Sequence, residues 1–147
     1  MPIERAVAAD IDSIFDLLAA QFDEHNIQTP DAALRQAIAE VLQNKGLGLF
    51  LVARHGDEVI GLAALSFAWT LEYAGKTAWL DELYVLPAWR GQGVGRALLR
   101  QAIAEAQASG CRAIDLEVDE AHRRAERLYQ REGFRRLART RWARALG

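Results

Sequence analysis

The chain has 147 residues, of which 51% are hydrophobic and 26% are charged, with a formal net charge of −2. This length is typical of one globular domain with a sizeable core, so we expect a single domain over residues 1–147. No stretch reaches the ~18 consecutive apolar residues of a membrane-spanning helix. The first residues also lack the basic-then-apolar order of a targeting segment. These features exclude a membrane protein and predict a soluble, cytoplasmic one.

The charges are unevenly distributed along the chain. Residues 1–122 hold 9 Lys or Arg against 18 Asp or Glu, a balance of −9, whereas residues 123–147 hold 9 Arg against 2 Glu, a balance of +7. A basic run can indicate nucleic-acid binding, but these arginines are spread through a predicted helix and two predicted strands rather than a free tail. We therefore expect a solvated face that partly serves an anionic ligand, and no nucleic-acid partner.

Cysteine and histidine are too sparse to indicate a metal site. Cys111 is the single cysteine and cannot form an internal disulfide. His25, His55 and His122 are far apart, and none has the spacing to a second ligand that a metal needs. We expect no bound metal, and we expect Cys111 to be a small buried hydrophobic residue.

Residues 3–46 predict a short strand followed by two helices. The strand covers Ile3 to Val7, and Asp10 is placed to cap an amphipathic helix. A second helix is predicted with Thr29 at its cap and Pro30 at its first helical position. It should stop at Asn44-Lys45-Gly46.

The pattern then changes to that of strands. Residues 47–67 form two apolar runs around the polar turn His55-Gly56-Asp57, which predicts an antiparallel hairpin. A turn at Tyr73-Ala74-Gly75 leads into a third strand from Thr77 to Leu86. A glycine-rich stretch follows this strand directly.

The remaining chain alternates helix and strand again. A helix should start near Val94 and end near Ser109-Gly110, and residues 114–118 alternate apolar and acidic side chains, the period of a half-buried strand. A fourth helix is predicted from about Ala121 to Glu132, followed by two short Arg-rich strands. The whole order predicts an α/β fold with a mixed, mostly antiparallel central sheet flanked by about four helices.

The stretch RGQGVGRALL, residues 90–99, indicates an anion site. A glycine-rich turn at a helix start leaves free backbone N–H groups at the positive end of the helix dipole. Because Gly91, Gly93 and Gly95 lack side chains, a phosphate can approach the main chain, with Arg90 and Arg96 adding charge at either edge. We expect a pyrophosphate there.

Other interpretations of these glycines fit less well. A dinucleotide fingerprint needs its third glycine one residue later, where Arg96 stands, and a Walker loop needs a Lys-Ser or Lys-Thr that is missing here. The alternative is that the glycines only make a tight turn without a ligand, but the two flanking arginines have no structural need to be there.

Two segments resemble the GNAT superfamily of N-acetyltransferases. The family's acyl-coenzyme A motif is Arg or Gln, two residues, Gly, one residue, Gly or Ala. The stretch Arg90-Gly91-Gln92-Gly93-Val94-Gly95 fits it with Arg90 as the first residue, and also with Gln92 leading. Ala125, Tyr129, Gly133 and Phe134 match the family's following motif. His122 stands where that motif usually has Asn. The resemblance is strong from Leu80 to Phe134 and is carried by element order before that.

The resemblance implies acetyl-CoA as co-substrate and the backbone of one strand as the site of its pantetheine arm. Val85 N–H is expected to polarise the thioester carbonyl. The cofactor-binding residues that it implies are Leu83, Tyr84, Val85, Arg90, Gly91, Gln92, Gly93, Val94, Gly95, Arg96 and His122.

Acetyl transfer to an amine requires a proton acceptor and a proton donor. Asp81 and Glu82 are adjacent carboxylates in a core strand, and alternation places them on opposite faces unless a bulge intervenes. We expect one of them to be the base, without choosing between them; the alternative is a paired strand carboxylate. Tyr129 lies where the family often places the general acid, although it also belongs to an apolar helical stripe.

The function that we predict is N-acetylation of a primary amine by direct transfer from acetyl-CoA. The acidic balance before residue 123 favours a cationic acceptor, either a small molecule or a peptide amine. A non-catalytic acyl-CoA sensor of the same fold is the main alternative, and nucleic-acid binding through the Arg-rich end is a third. A homodimer also stays open.

Overall fold

The computed structural model describes residues 2–119 and 123–147. It forms two compact units, residues 1–116 and residues 117–147. Within the described residues there are five strands and four α-helices, and no helix is both long and apolar enough to cross a membrane.

The first unit is built on a five-stranded sheet whose spatial order follows the chain, from β1 to β5. The first four strands pair antiparallel and β5 joins β4 in parallel, so the predicted mixed, mostly antiparallel sheet is confirmed. The strand bounds are Ile3–Arg5 for β1, Gly48–His55 for β2, Glu58–Thr70 for β3, Gly75–Val85 for β4 and Ile114–Asp115 for β5.

Three helices of the first unit cover the two faces of this sheet. They are α1 at Ile11–Glu24, α2 at Asp31–Gln43 and α3 at Val94–Ala108. Helices α1 and α2 pack on one face, in a core with alternate residues of three strands; this core includes Ile14, Leu18, Ile38, Val52, Leu62 and Tyr84. Helix α3 packs on the other face. Gly61 precedes Leu62 in β3 and so points to the opposite face, and a Cβ at Gly61 would meet Val94 and Leu98 of α3.

The starts of the first two helices differ from the predictions. Asp10 makes no side-chain cap on α1. Its buried carboxylate instead accepts the Val7 N–H at 2.8 Å and is paired with Arg54 at 2.8 Å, so a tertiary ion pair takes the oxygens that a cap would use. Helix α2 begins at Asp31, with Pro30 rather than Thr29 at the cap position and no capping side chain.

The later elements are shorter than their sequence patterns suggest. The β5 strand stops at Asp115, although the apolar alternation continues to Val118.

Cys111 is half-buried rather than fully buried, and that burial raises the pKa of its thiol.

The second unit contains the fourth helix, α4, at Ala125–Arg131. Gly133 follows with a φ of 90°, and the Phe134 N–H donates to the Tyr129 carbonyl at 3.0 Å, a left-handed helix ending. Among the described residues after α4, no strand is formed, so the prediction of two Arg-rich strands there is wrong. Residues 135–147 are almost all exposed, so they bury no apolar face of the kind that holds a strand in a sheet.

Candidate active site

The end of β4 has one hydrogen-bonding edge without a strand partner in the first unit. The parallel ladder with β5 covers only Ala78 and Trp79 of β4. On the β3 side, pairing continues to Val85, and the Leu86 N–H then donates to the Ile60 carbonyl at 2.9 Å. Because alternate residues of an antiparallel strand bond to the same partner, Leu83 and Val85 direct their N–H and C=O groups away from β3. Two of the three residues predicted to hold the pantetheine arm therefore face an open edge.

A β-bulge lies just before this open edge. Leu65 of β3 pairs with Leu80, but its neighbour Ala64 pairs with Glu82, which leaves Asp81 as the extra residue. The strict alternation that would separate Asp81 from Glu82 is therefore interrupted.

The bulge also determines on which face of the sheet the Glu82 side chain lies. Directly paired residues share a face, so Glu82 lies with Ala64 and Tyr84 on the face that α1 and α2 cover. Glu82 is half-buried, whereas Asp81 is exposed. Of the two candidate bases, Glu82 is thus the one that is partly withdrawn from water.

Two residues of the glycine-rich turn adopt a backbone conformation that favours glycine. Gly91 and Gly93 have φ values of 76° and 85°, in the left-handed region, and a Cβ at either would meet nothing within 4 Å. Gly93 is the N-cap of α3 and offers no side chain to the first turn. The N–H groups of Val94 and Gly95 have no acceptor within the helix, so they can bind an external anion.

The turn and the open edge adjoin each other. A Cβ at Gly95 would lie 3.7 Å from Cγ2 of Val85, which places the first turn of α3 against the last residue of β4. Gly61 permits this approach, because a Cβ there would lie 2.9 Å from Leu98 and 3.1 Å from the buried Val94. Sequence reasoning missed Gly61, which stands inside an otherwise apolar strand; a lone strand glycine is a known signal of close backbone approach.

The polar side chains of the turn have protein partners. Arg90 Nε donates to the Val85 carbonyl at 2.9 Å, and its Nη2 contacts both carboxylate oxygens of Glu24, at 3.1 Å and 3.3 Å. Gln92 Nε2 donates to the Ala88 carbonyl at 3.3 Å. Arg96 is exposed in the first turn of α3.

Glu24 and Tyr84 complete the surroundings of Arg90. The Tyr84 hydroxyl donates to the Glu24 carboxylate, and the Arg90 guanidinium lies 5.3 Å from the Tyr84 ring centre. Burial, with Glu24 adding to it, raises the pKa of Tyr84, while the bond from Tyr84, with Arg90 adding to it, lowers the pKa of Glu24. Glu24 is 66 residues from Arg90, and no sequence signal connects them.

Two of the predicted site residues, His122 and Tyr129, lie after residue 117. Tyr129 is half-buried in α4, with its ring 6.0 Å from that of Phe134 in an edge-on contact. Burial raises the pKa of Tyr129, so its hydroxyl is protonated at neutral pH. His122 lies outside the described residues, and the prediction about it stays open. Within residues 2–119 and 123–147, no three side chains of the ligating types are grouped as a metal site.

Comparison with known proteins identifies the family whose sequence pattern this chain follows. The family model described as the acetyltransferase (GNAT) family matches residues 11–134. An aminoalkylphosphonate N-acetyltransferase of Salmonella typhimurium (strain LT2) is 32% identical over 134 residues, which cover 90% of this chain and 84% of that protein.

Solved structures share the fold over almost the full chain. An integron cassette protein from a salt-marsh metagenome has a TM-score of 0.87 and 26% identity, and the match covers 99% of this chain and 90% of that one. A predicted acetyltransferase of Clostridium acetobutylicum, solved with acetyl-CoA, has a TM-score of 0.83 and 20% identity over 97% of this chain and 95% of that one. The second likeness concerns the fold alone.

Proposed function

This chain belongs to the acetyltransferase (GNAT) family, and we propose that it transfers the acetyl group of acetyl-CoA directly to a small primary amine. The observation that carries the proposal is the contact between the open edge of β4 and the first turn of α3, at Val85 and Gly95. The open edge of β4 can pair with the extended, amide-containing pantetheine arm of CoA, and the first turn of α3 can bind the phosphates of CoA.

The residues present fit acetyl-CoA. A Cβ would project into open space at Gly91 and Gly93, so a phosphate can approach the backbone that these glycines expose. The N–H groups of Val94 and Gly95 would hold the pyrophosphate, with Arg96 adding charge. The main-chain groups of Leu83 and the N–H of Val85 would pair with the arm. When bound, acetyl-CoA supplies the acetyl group as an activated thioester.

Glu82 is the base that the geometry favours. Its half-buried position on the α1–α2 face weakens its solvation, which suits a carboxylate that must take a proton from an ammonium or amine. An N–H of the open edge, from Val85 as predicted or from Leu83, would donate to the carbonyl oxygen under attack. Glu82 would take the proton of the attacking amine, and acetyl-CoA, when bound, would supply the acetyl carbon and the thiolate leaving group.

The general acid remains Tyr129, on the family resemblance alone. Its protonated phenol would give a proton to the departing thiolate. The alternative route through an acyl-enzyme has little support, because burial raises the pKa of the Cys111 thiol and so disfavours the reactive thiolate. We therefore infer a sequential mechanism in which both substrates are bound before transfer.

The charge of the acceptor is the open part of this proposal. The acidic balance of residues 1–122 favours a cationic amine, whereas the named relative acts on aminoalkylphosphonates, whose phosphonate is anionic. A diamine, an aminoglycoside and an aminoalkylphosphonate therefore form the first panel of acceptors.

The test combines calorimetry with acetyl-CoA and a thiol-release assay over this amine panel. We expect saturable binding of acetyl-CoA and thiol release that depends on one class of amine. Double-reciprocal plots of initial rate at several amine concentrations should give intersecting lines, as a sequential mechanism requires. Binding without release for any amine would favour the acyl-CoA sensor instead. Absence of binding would refute the proposal, and strongly salt-dependent affinity for nucleic acid would favour the third possibility.

A further inference from the structure

The loop between β4 and α3 is held by side chains that reach two distant elements. The Trp89 ring lies 4.5 Å from the ring of His55, at the end of β2. The next residue, Arg90, reaches Glu24 at the end of α1. Two adjacent loop residues thus anchor the chain immediately before Gly91.

Glu24, Tyr84 and Arg90 form a closed cluster, which we call the Arg90 clamp. Arg90 contacts Glu24 through Nη2 and donates to the Val85 carbonyl through Nε. Its guanidinium group also lies over the face of the Tyr84 ring. The Tyr84 hydroxyl closes the cluster by donating to Glu24. The guanidinium is therefore held on three sides, although its side chain is 47% exposed.

This arrangement is well suited to holding the phosphate-binding turn in one conformation. Gly91 and Gly93 lose more conformational freedom on ordering than any other residue type would. If the turn were disordered before binding, the ordering cost would be subtracted from the affinity for the ligand. A clamp at Arg90 removes part of that cost in the free protein, because it fixes the residue at which the turn begins.

We propose that Glu24 is a positioning residue for acetyl-CoA binding, which acts by holding Arg90 and thereby the start of the glycine turn. This inference rests on the proposed function. It assigns Arg90 to the protein side of the site, where it contacts Glu24 and Val85, rather than to direct contact with phosphate.

Removal of the Glu24 charge separates positioning from simple electrostatics. Without Glu24 the region near the turn is one charge more positive, so electrostatics alone predicts tighter binding of the anionic CoA. Positioning predicts the opposite. We expect Glu24→Ala to raise the Kd for CoA about fivefold. Glu24→Gln keeps an acceptor oxygen for Tyr84 or Arg90 and should raise the Kd by less.

A matched control is available in the same helix. Asp12 of α1 pairs with Arg35 of α2 at 2.7 Å and is 78% exposed, so Asp12→Ala makes the same change of charge away from the clamp. The Kd for CoA should not change in this variant. The melting temperature of Asp12→Ala should stay close to wild type, because exposed ion pairs add little stability. Glu24→Ala also removes the acceptor of the Tyr84 hydroxyl, whose side chain lies in the core, so this variant should melt a few degrees lower, and Glu24→Gln should melt closer to wild type.

The decisive measurements are the Kd for CoA by calorimetry and the separation of KM from kcat. We expect Glu24→Ala to raise the KM for acetyl-CoA in step with the Kd while kcat at saturation stays within twofold. An unchanged or lower Kd in both Glu24 variants, or an equal rise in Asp12→Ala, overturns the clamp. Those results would leave the proposed function intact, because that function is tested on the wild-type protein, and it fails if the wild type does not bind acetyl-CoA or binds it without releasing thiol with any amine.

Discussion

Gly93 and Gly110 allow the anion site to be tested with an internal control, because they flank opposite ends of α3 in the same backbone conformation. Their φ values are 85° and 81°, and a Cβ built on either meets nothing within 4 Å. Alanine at either position therefore introduces the same left-handed strain, roughly 1 kcal/mol. For a protein of this size that corresponds to a fall in melting temperature of ~3 °C.

The two substitutions should differ in their effect on cofactor affinity. At Gly93 the new methyl group would project into open space beside the first turn of α3, where we propose that the phosphates bind. Loss of one hydrogen bond to a charged phosphate costs about 2 kcal/mol, which is ~30-fold in Kd. At Gly110 the methyl group lies beyond the other end of the helix, so the Kd should not change.

Calorimetric titration with acetyl-CoA and thermal melts of both variants and wild type provide the assay. We expect similar melting temperatures for Gly93→Ala and Gly110→Ala, with binding weakened only in the first. If the two variants bind acetyl-CoA with Kd values within twofold of each other, the glycine turn is not the phosphate site and the reasoning fails.

Three further predictions concern single side chains. Glu82→Gln should lower kcat by ~10²–10⁴-fold at saturating amine near pH 7, whereas Asp81→Asn should lower it less than tenfold, and equal effects would remove the preference for Glu82. Tyr129→Phe should lower kcat by ~10²-fold with little change in the Kd for acetyl-CoA if the phenol is the acid, and full turnover with a stability change within ~1 kcal/mol would reduce Tyr129 to a packing role. Glu105 accepts a bond of 3.0 Å from Arg5 Nε, and this bond lowers the pKa of Glu105, so its stabilising effect is present above the unfolded pKa of about 4.3 and is lost as the pH falls through the folded value. The stability difference between wild type and Glu105→Gln should therefore be constant from pH 6 to 8 and shrink below about pH 4 in chemical denaturation, and a difference that grows in acid would contradict this sign.

The order of the elements and the position of the glycine turn were predictable because both depend on neighbours in sequence. Helix and strand periods in residues 3–108 identify α1 to α3 and β1 to β4, with ends that differ by up to three residues. The left-handed conformations at Gly91 and Gly93 follow from a residue type that alone adopts them without strain. Residue types and their spacing along the chain were therefore sufficient to predict the order of these elements and the position of the turn.

Patterns failed where an element needs a partner that the sequence does not specify. The alternation of residues 114–118 is satisfied by pairing only at Ile114 and Asp115, and the two Arg-rich strands predicted after α4 are not formed among the described residues there. A strand is stabilised by hydrogen bonds to a second strand, so alternation alone is a necessary condition and not a sufficient one.

The sequence by itself determined that a glycine-rich turn follows a core strand and that two carboxylates precede it. Only the tertiary structure decided how these parts are oriented. The bulge at Asp81 arises from the register between β3 and β4, and it sets the face on which Glu82 lies. The pairing of Glu24 with Arg90 joins residues 66 positions apart. Such contacts depend on how helices and strands pack together, and no local period or spacing encodes them.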